Sequence, residues 1–365
     1  MGINSQYCRV DLGGKIKIYI WNTLKRGDSL LESPLFMEGE QTNMNNKQKF
    51  VMKIMRFILL VLGVSLLSFF LLKNSPVDPI MASVNYDSSL TPEQYQKIAE
   101  YYGLNKPIGT QYLTWLKNFM SGDFGNSLIY RKPVIEIIKA RAGASAALMS
   151  VSWILSGLLG FCLGTISAFK RGKPFDRFIK WFSYLQVTVP TFWIGLIFLL
   201  VFSVQLKWFP IGISTPIGKL STDVTLFDKI RHLILPSITL SVLGIANVTL
   251  HTREKMIDVL NSEYVTFAKS RGENNFQIFK NHCLRNALIP AITIHFSYFG
   301  ELFGGSVLAE QVFSYPGLGS TLTEAGLKGD TPLLLAIVVI GSFFVFVGNT
   351  LADLLNELLN PNLRR

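Results

Sequence analysis

Runs of about twenty apolar residues, separated by basic loops, constrain this chain more than anything else in it. A hydrocarbon core offers no water to backbone N–H and C=O groups, so spanning segments must close their hydrogen bonds within helices or a sealed barrel. Helices need about twenty residues to cross, and these runs have that length. Composition agrees: 49% of the 365 residues are hydrophobic and 16% are charged, against about 25% charged in soluble domains. The mean hydropathy is +0.34. The expected fold is an all-α integral membrane protein with six transmembrane helices. A net charge of +11 could signal nucleic acid, but long apolar runs do not belong on such a surface. Lys and Arg in excess are instead expected in cytoplasmic loops, against anionic membrane lipid.

Taken in order, residues 1–50 read as a cytoplasmic N-terminal tail, without the apolar run of a signal peptide. Met44 stands ahead of a basic stretch (Lys47, Lys49, Lys53, Arg56) and offers a second place for the chain to begin. Residues 51–72 form the first expected span, and residues 73–143 an insert too polar to cross. Within the insert, Thr91-Pro92-Glu93-Gln94 is a capping box with proline at the first helical position. That helix should stop at Gly103, and a second amphipathic piece bearing Tyr112, Trp115 and Phe119 should end near Gly122. A third helix should open at Pro133. Residues 144–359 form a five-helix core, with spans expected at 144–169, 181–206 (kinked at Pro190), 232–250, 288–308 and 333–354. Gly157, Gly160 and Gly164 suit the first of these to close helix packing. Residues 360–365 are a closing tail.

Orientation follows from the bias of Lys and Arg toward the cytoplasm. Residues 170–180 hold five basic residues and 253–287 hold six, whereas 310–331 hold only Lys328. Both termini and the 253–287 segment are therefore expected in the cytoplasm, and the 73–143 insert outside.

The 253–287 segment looks built rather than loose. Met256, Leu260, Tyr264 and Phe267 fall on one face of a helix. Gly272 can adopt the positive φ of a sharp elbow, and Phe276 and Phe279 share one side of a second short helix. Such a pair could cover its own membrane domain or dock a separate cytoplasmic protein.

No catalytic constellation is present. The chain lacks a GxxxxGK[ST] phosphate loop, a GxSxG elbow and an HExxH pair, so no catalytic residue, metal or cofactor is expected. Cys8, Cys162 and Cys283 are far apart and suggest neither a disulfide framework nor a zinc site. His295 and Glu301 lie within the fifth expected span, where a carboxylate costs about 2.5–3.5 kcal/mol and should face a packed or wet interior. Six residues apart on one helix, they would point about 240° from each other, which makes them no ready ligand pair. A lone secondary transporter would need paired ionisable groups and often inverted repeats, and an intramembrane enzyme a nucleophile or metal cluster.

EYVTFAKSRG (263–272) followed by LRNALIP (284–290) resembles the cytoplasmic signature of ABC importer permeases. The likeness is to the dipeptide, oligopeptide and nickel subgroup. LTPEQ (90–94), YGLNKP (102–107), GDFGNS (122–127), FSYPGLG (313–319) and ADLLNELLNPNLR (352–364) extend it over nearly everything beyond residue 50. The resemblance implies a permease subunit, not itself an enzyme, paired with a second related permease, in a heterodimer by preference. Two cytoplasmic ATPase subunits and an extracytoplasmic substrate-binding protein complete the assembly. Glu263, Tyr264, Ala268, Arg271, Gly272, Phe276, Phe279 and Arg285 are then the expected ATPase-docking residues, and His295 and Glu301 the expected cargo-path residues. The family pattern carries an acidic residue near position 266, where this chain has Thr266. GELFGG (300–305) and DLLNELLNP lean the cargo slightly toward nickel or a metal chelate, with peptide import as the alternative.

Overall fold

The computed structural model describes residues 8–11, 17–20, 46–84, 90–216 and 223–359. The closing NPNLRR and most of the N-terminal stretch lie outside them. The chain divides into two units, residues 1–56 and 57–365. In the first, β1 (Cys8–Asp11) pairs antiparallel with β2 (Lys17–Ile20). The other regular elements among the described residues are all helices.

Four helices are long and apolar enough to cross a membrane. They belong to α1 (Asn46–Lys73), α5 (Val134–Phe169), α8 (Leu226–Leu260) and α14 (Thr331–Leu359). Two expected spans differ from the reading above. The stretch expected at 181–206 is a bent pair, α6 (Pro174–Thr188) and α7 (Thr191–Phe198), the latter continued by a π-helical turn at Leu199–Gln205. The two parts meet at 106°. Pro190 lacks an N–H and holds Val189 extended (φ −87°, ψ 127°), so the helix stops rather than kinks. The stretch expected at 288–308 is also two helices, α11 (Leu284–Ser297) and α12 (Phe299–Val312), broken at Tyr298. Each has 14 residues, about 21 Å of helix against a core of about 30 Å.

The insert folds as its punctuation predicts. Thr91 and Gln94 exchange both capping bonds at the start of α3 (Pro92–Tyr101), and Gly103 follows it with φ +64°. After α2 (Pro79–Ser83), which Asp78 caps, and α4 (Ile108–Met120), Gly122 turns the chain at φ +82°. The GDFGNS segment then clasps the turn between α13 (Leu318–Leu327) and α14. Ser127 Oγ donates to Asp330 Oδ2 at 2.5 Å, the Ile129 N–H donates to the same oxygen, and Tyr130 OH donates to Glu324 at 2.6 Å. Burial and that last bond push Tyr130 up to about 12.

The long helix α5 is the mast of the core, about 54 Å by its residue count. Val134, Ile137 and Ile138 at its start pack with Leu318, Leu333 and Ile337. Leu148 and Met149 at its middle join Leu235, Leu240 and Phe313. Ala168 at its end joins Met256, Val265 and Ile278. Between these clusters α5 meets α8 through glycines. A Cβ on Gly160 would stand 2.6 Å from Val248 Cβ, and one on Gly164 would stand 2.6 Å from the Thr249 carbonyl. The small residues expected to permit close packing do so.

Two buried carboxylates hold the rest. Asp176, 1% exposed, accepts Arg253 Nε at 2.6 Å and a second Arg253 nitrogen at 2.9 Å. Ser167 Oγ and the Gly172 N–H also donate to it. Glu310, fully buried, accepts Ser145 Oγ at 2.6 Å and the Ser320 N–H at 2.9 Å. Ser145 Oγ in turn accepts the Leu318 N–H at 2.7 Å. The SYPGLG turn is thus folded down onto a carboxylate.

Candidate functional site

Two places concentrate the residues singled out in the sequence. The first is the elbow segment. Helix α8 ends at Leu260, and Asn261-Ser262 breaks the chain before α9 (Glu263–Ser270) begins. The expected continuous face of Met256, Leu260, Tyr264 and Phe267 is therefore split, because the break resets the helical phase. Met256 is buried, but Tyr264 and Phe267 are 46% and 64% exposed; Val265 and Ala268 take the inward positions. Gly272, at φ +85°, is the elbow. Its N–H bonds to the Lys269 carbonyl and the Glu273 N–H to the Ala268 carbonyl, a Schellman closure that requires a left-handed residue.

Past the elbow, Asn274 and Gln277 form a capping box that opens α10 (Asn275–Ile278). This is no isolated short helix. It runs through a π-helical turn at Phe279–Cys283 straight into α11. Phe276 and Phe279 separate here. Phe276 is 71% exposed, whereas Phe279 is half-buried, edge-on to Phe169 at the end of α5 (6.2 Å). Glu263, Tyr264, Arg271, Gly272 and Arg285 are exposed and Ala268 is buried. The segment is two-sided: Val265, Ala268, Ile278 and Cys283 are held by the ends of α5 and α8, and Tyr264, Phe267 and Phe276 stand out on the other side. Arg271 lies over the Phe267 ring at 5.9 Å.

The second place is a cavity of about 50 Å³ among α5, α7, α8, α11 and α12. That volume has room for a few water-sized groups and not for an extended chain. His295 and Glu301 both line it, together with Trp153, Asn247, Tyr298 and Gly305. On one continuous helix His295 and Glu301 would point to different sides, about 240° apart. The break at Tyr298, whose ψ of 1° ends α11 and starts α12, removes the fixed 100° step between them. His295 is buried and stacks on Trp153 with centroids 4.5 Å apart. It presses so closely on α5 that a Cβ at Gly157 would meet its Nε2. Glu301 is exposed and has no ion-pair partner among the described residues. Nor do three His, Cys, Asp or Glu side chains gather anywhere among those residues as a metal set.

Sequence reasoning missed the Asp176–Arg253 clamp and the Glu310 anchor. A buried-type carboxylate two residues after Pro174, and one beside SYPGLG, were the only local signals.

Residues 160–365 match the family described as binding-protein-dependent transport system inner membrane component, and residues 48–148 match the N-terminal part of such membrane components. The oligopeptide transport system permease protein AppB of Bacillus subtilis is 38% identical over 305 residues, 83% of this chain and 95% of that protein. The di/tripeptide transport system permease protein DppB of Pseudomonas aeruginosa is 33% identical over 317 residues, 83% and 94% of the two chains. Among solved structures, an inward-facing form of the MetNI methionine ABC transporter superposes with a TM-score of 0.50 at 14% identity. It covers 62% of this chain and 97% of that one, a likeness of fold alone.

Proposed function

Because the chain belongs to the family of inner-membrane components of binding-protein-dependent transport systems, we propose that this ABC importer permease passes short peptides across the membrane. It is a multi-pass inner-membrane protein, and its relatives over more than four-fifths of its length are named as oligopeptide and di/tripeptide permeases. Those names outweigh the lean toward nickel taken from GELFGG and DLLNELLNP, so peptide is the cargo we adopt.

In this reading α11 and α12 together cross as one broken span, which brings the total to six, with α6 and α7 as another. Both termini and the elbow segment face the cytoplasm, and the 73–143 insert faces outward toward a substrate-binding protein. A second permease supplies the other half of the pathway, and two ATPase subunits supply the energy. His295 and Glu301 belong to the wall of that pathway.

The observation that carries the docking role is the two-sidedness of the elbow segment. A surface helix that merely covered its own domain would turn its aromatics inward; here Phe267 and Phe276 are the exposed ones. Held on a core-anchored backbone, they are suited to fill an apolar groove in an ATPase, with Arg271, Lys280 and Arg285 around them. Ala268 and Gly272 serve by shaping the elbow, and Phe279 by fixing it to α5.

The test is co-purification and uptake by the complete importer in liposomes. Phe267→Ala with Phe276→Ala should weaken ATPase association about 10- to 30-fold, the scale of lost interface anchors, without lowering the unfolding temperature. Phe279→Ala should show the converse, a lower unfolding temperature with association retained in the folded fraction. Undiminished association in the Phe267/Phe276 double variant would refute the docking role.

A further inference from the structure

An unpaired carboxylate in a membrane-embedded wall asks for a partner, and the cavity that Glu301 shares with His295 limits what that partner can be. The lining has one acidic group and no Lys or Arg, so nothing on this chain neutralises Glu301 there. Trp153 and Tyr298 are also in the lining, and the Trp153 ring is held rigid by its stack on His295. A carboxylate bordered by aromatic rings, with no competing cation, is the chemistry that receives an organic ammonium group. The volume of about 50 Å³ admits a small terminal group rather than an extended chain.

A peptide presents such an ammonium at its free amino end. We infer that this cavity is a subsite for the amino terminus of the cargo, its ammonium paired with Glu301 beside the Trp153 and Tyr298 rings. The inference rests on the peptide reading above and adds to it a point of contact within the pathway. Gly157 and Gly244 are what allow it. A Cβ at Gly157 would displace the His295 ring that backs Trp153, and one at Gly244 would strike Ser156 across the α5–α8 seam.

The experiment uses the complete importer in liposomes, with trialanine and N-acetyl-trialanine as probes, each at concentrations that saturate the binding protein. Saturation removes delivery from the comparison and leaves the passage step. Wild type should carry trialanine about tenfold faster than its acetylated form, as loss of one charged hydrogen bond implies. Glu301→Gln should cut the trialanine rate about tenfold and leave the acetylated peptide unchanged, which erases the preference. Glu301→Asp should keep part of it, and Trp153→Phe should lower the trialanine rate while ATPase stimulation by loaded binding protein stays normal. Equal rates for the two peptides in wild type would overturn the subsite. So would a Glu301→Gln protein that slows both peptides alike, or loses the second permease during purification, since the carboxylate would then serve assembly. A wild type that moves neither peptide under ATP overturns the peptide reading itself, a distinct result.

Discussion

Arg253→Ala should be the most damaging single substitution outside the elbow, lowering stability by about 3–5 kcal/mol, the cost of stranding one member of a buried ion pair. Asp176 is 1% exposed and has its two oxygens filled by Arg253 Nε and a second guanidinium nitrogen, with Ser167 Oγ and the Gly172 N–H completing the set. Without the guanidinium, a carboxylate remains in a pocket formed by the α5–α6 turn with no cation to offset its desolvation. Arg253→Lys retains charge but cannot form the two-pronged bond, so its loss should be intermediate. Arg253→Met combined with Asp176→Leu should recover most of the stability, because an apolar pair of similar volume carries no desolvation penalty. Thermal unfolding in detergent at a fixed scan rate measures this series. The reading fails if Arg253→Ala unfolds within a degree of wild type. The position matters for function as well. Arg253 lies seven residues before Leu260, the end of the helix that carries the elbow segment, so the clamp sets the direction in which the proposed ATPase joint leaves the membrane core.

Glu310→Ala should be nearly as costly, and its effect should be local to the SYPGLG turn. Two donors, Ser145 Oγ and the Ser320 N–H, lose their acceptor in a fully buried site, at about 1–3 kcal/mol each. Gly317 and Gly319 are part of the same device, since a Cβ at Gly317 would run into the Glu310 carboxylate and one at Gly319 would strike the Val307 backbone beside it. Gly317→Ala should therefore reproduce the Glu310→Ala phenotype without touching the charge. Limited proteolysis reads the difference: cleavage at residues 313–320 should rise in both variants while the elbow segment stays protected. Unchanged cleavage there would show that the turn does not depend on its carboxylate. Glu310→Gln keeps the shape and one carbonyl acceptor, but its amide nitrogen cannot accept, so one of the two donors remains unpaired.

Local structure was legible because its causes are local. The Thr91–Gln94 capping box, the stops at Gly103 and Gly122, and the Gly272 elbow each depend on residues within a few positions, and each was placed correctly from residue type. The glycine stripe on α5 was legible for the same reason, as close packing needs only the absence of side chains on one face. The breaks within two of the expected spans were less legible. Pro190 alone predicts a kink, whereas the chain turns through 106° there, and nothing at Tyr298 marks it as a helix terminus. Phe276 and Phe279 were grouped by their spacing, yet Phe169, more than a hundred residues earlier, draws only Phe279 inward.

What the sequence determined by itself was the kind of object: a helical membrane protein, its family, and a glycine elbow in a basic segment. Apolar run length, cap chemistry and charge bias are properties of short stretches, and they suffice for the helices, the membrane and the elbow; the family rests on the resemblance of the 263–272 and 284–290 motifs. The tertiary structure decided which residues meet. Asp176 finds Arg253 across 77 positions, Ser145 finds Glu310 across 165, and Ser127 finds Asp330 across 203. It also brought His295 and Glu301 to one cavity, because a helix that breaks no longer carries its phase from one residue to the next.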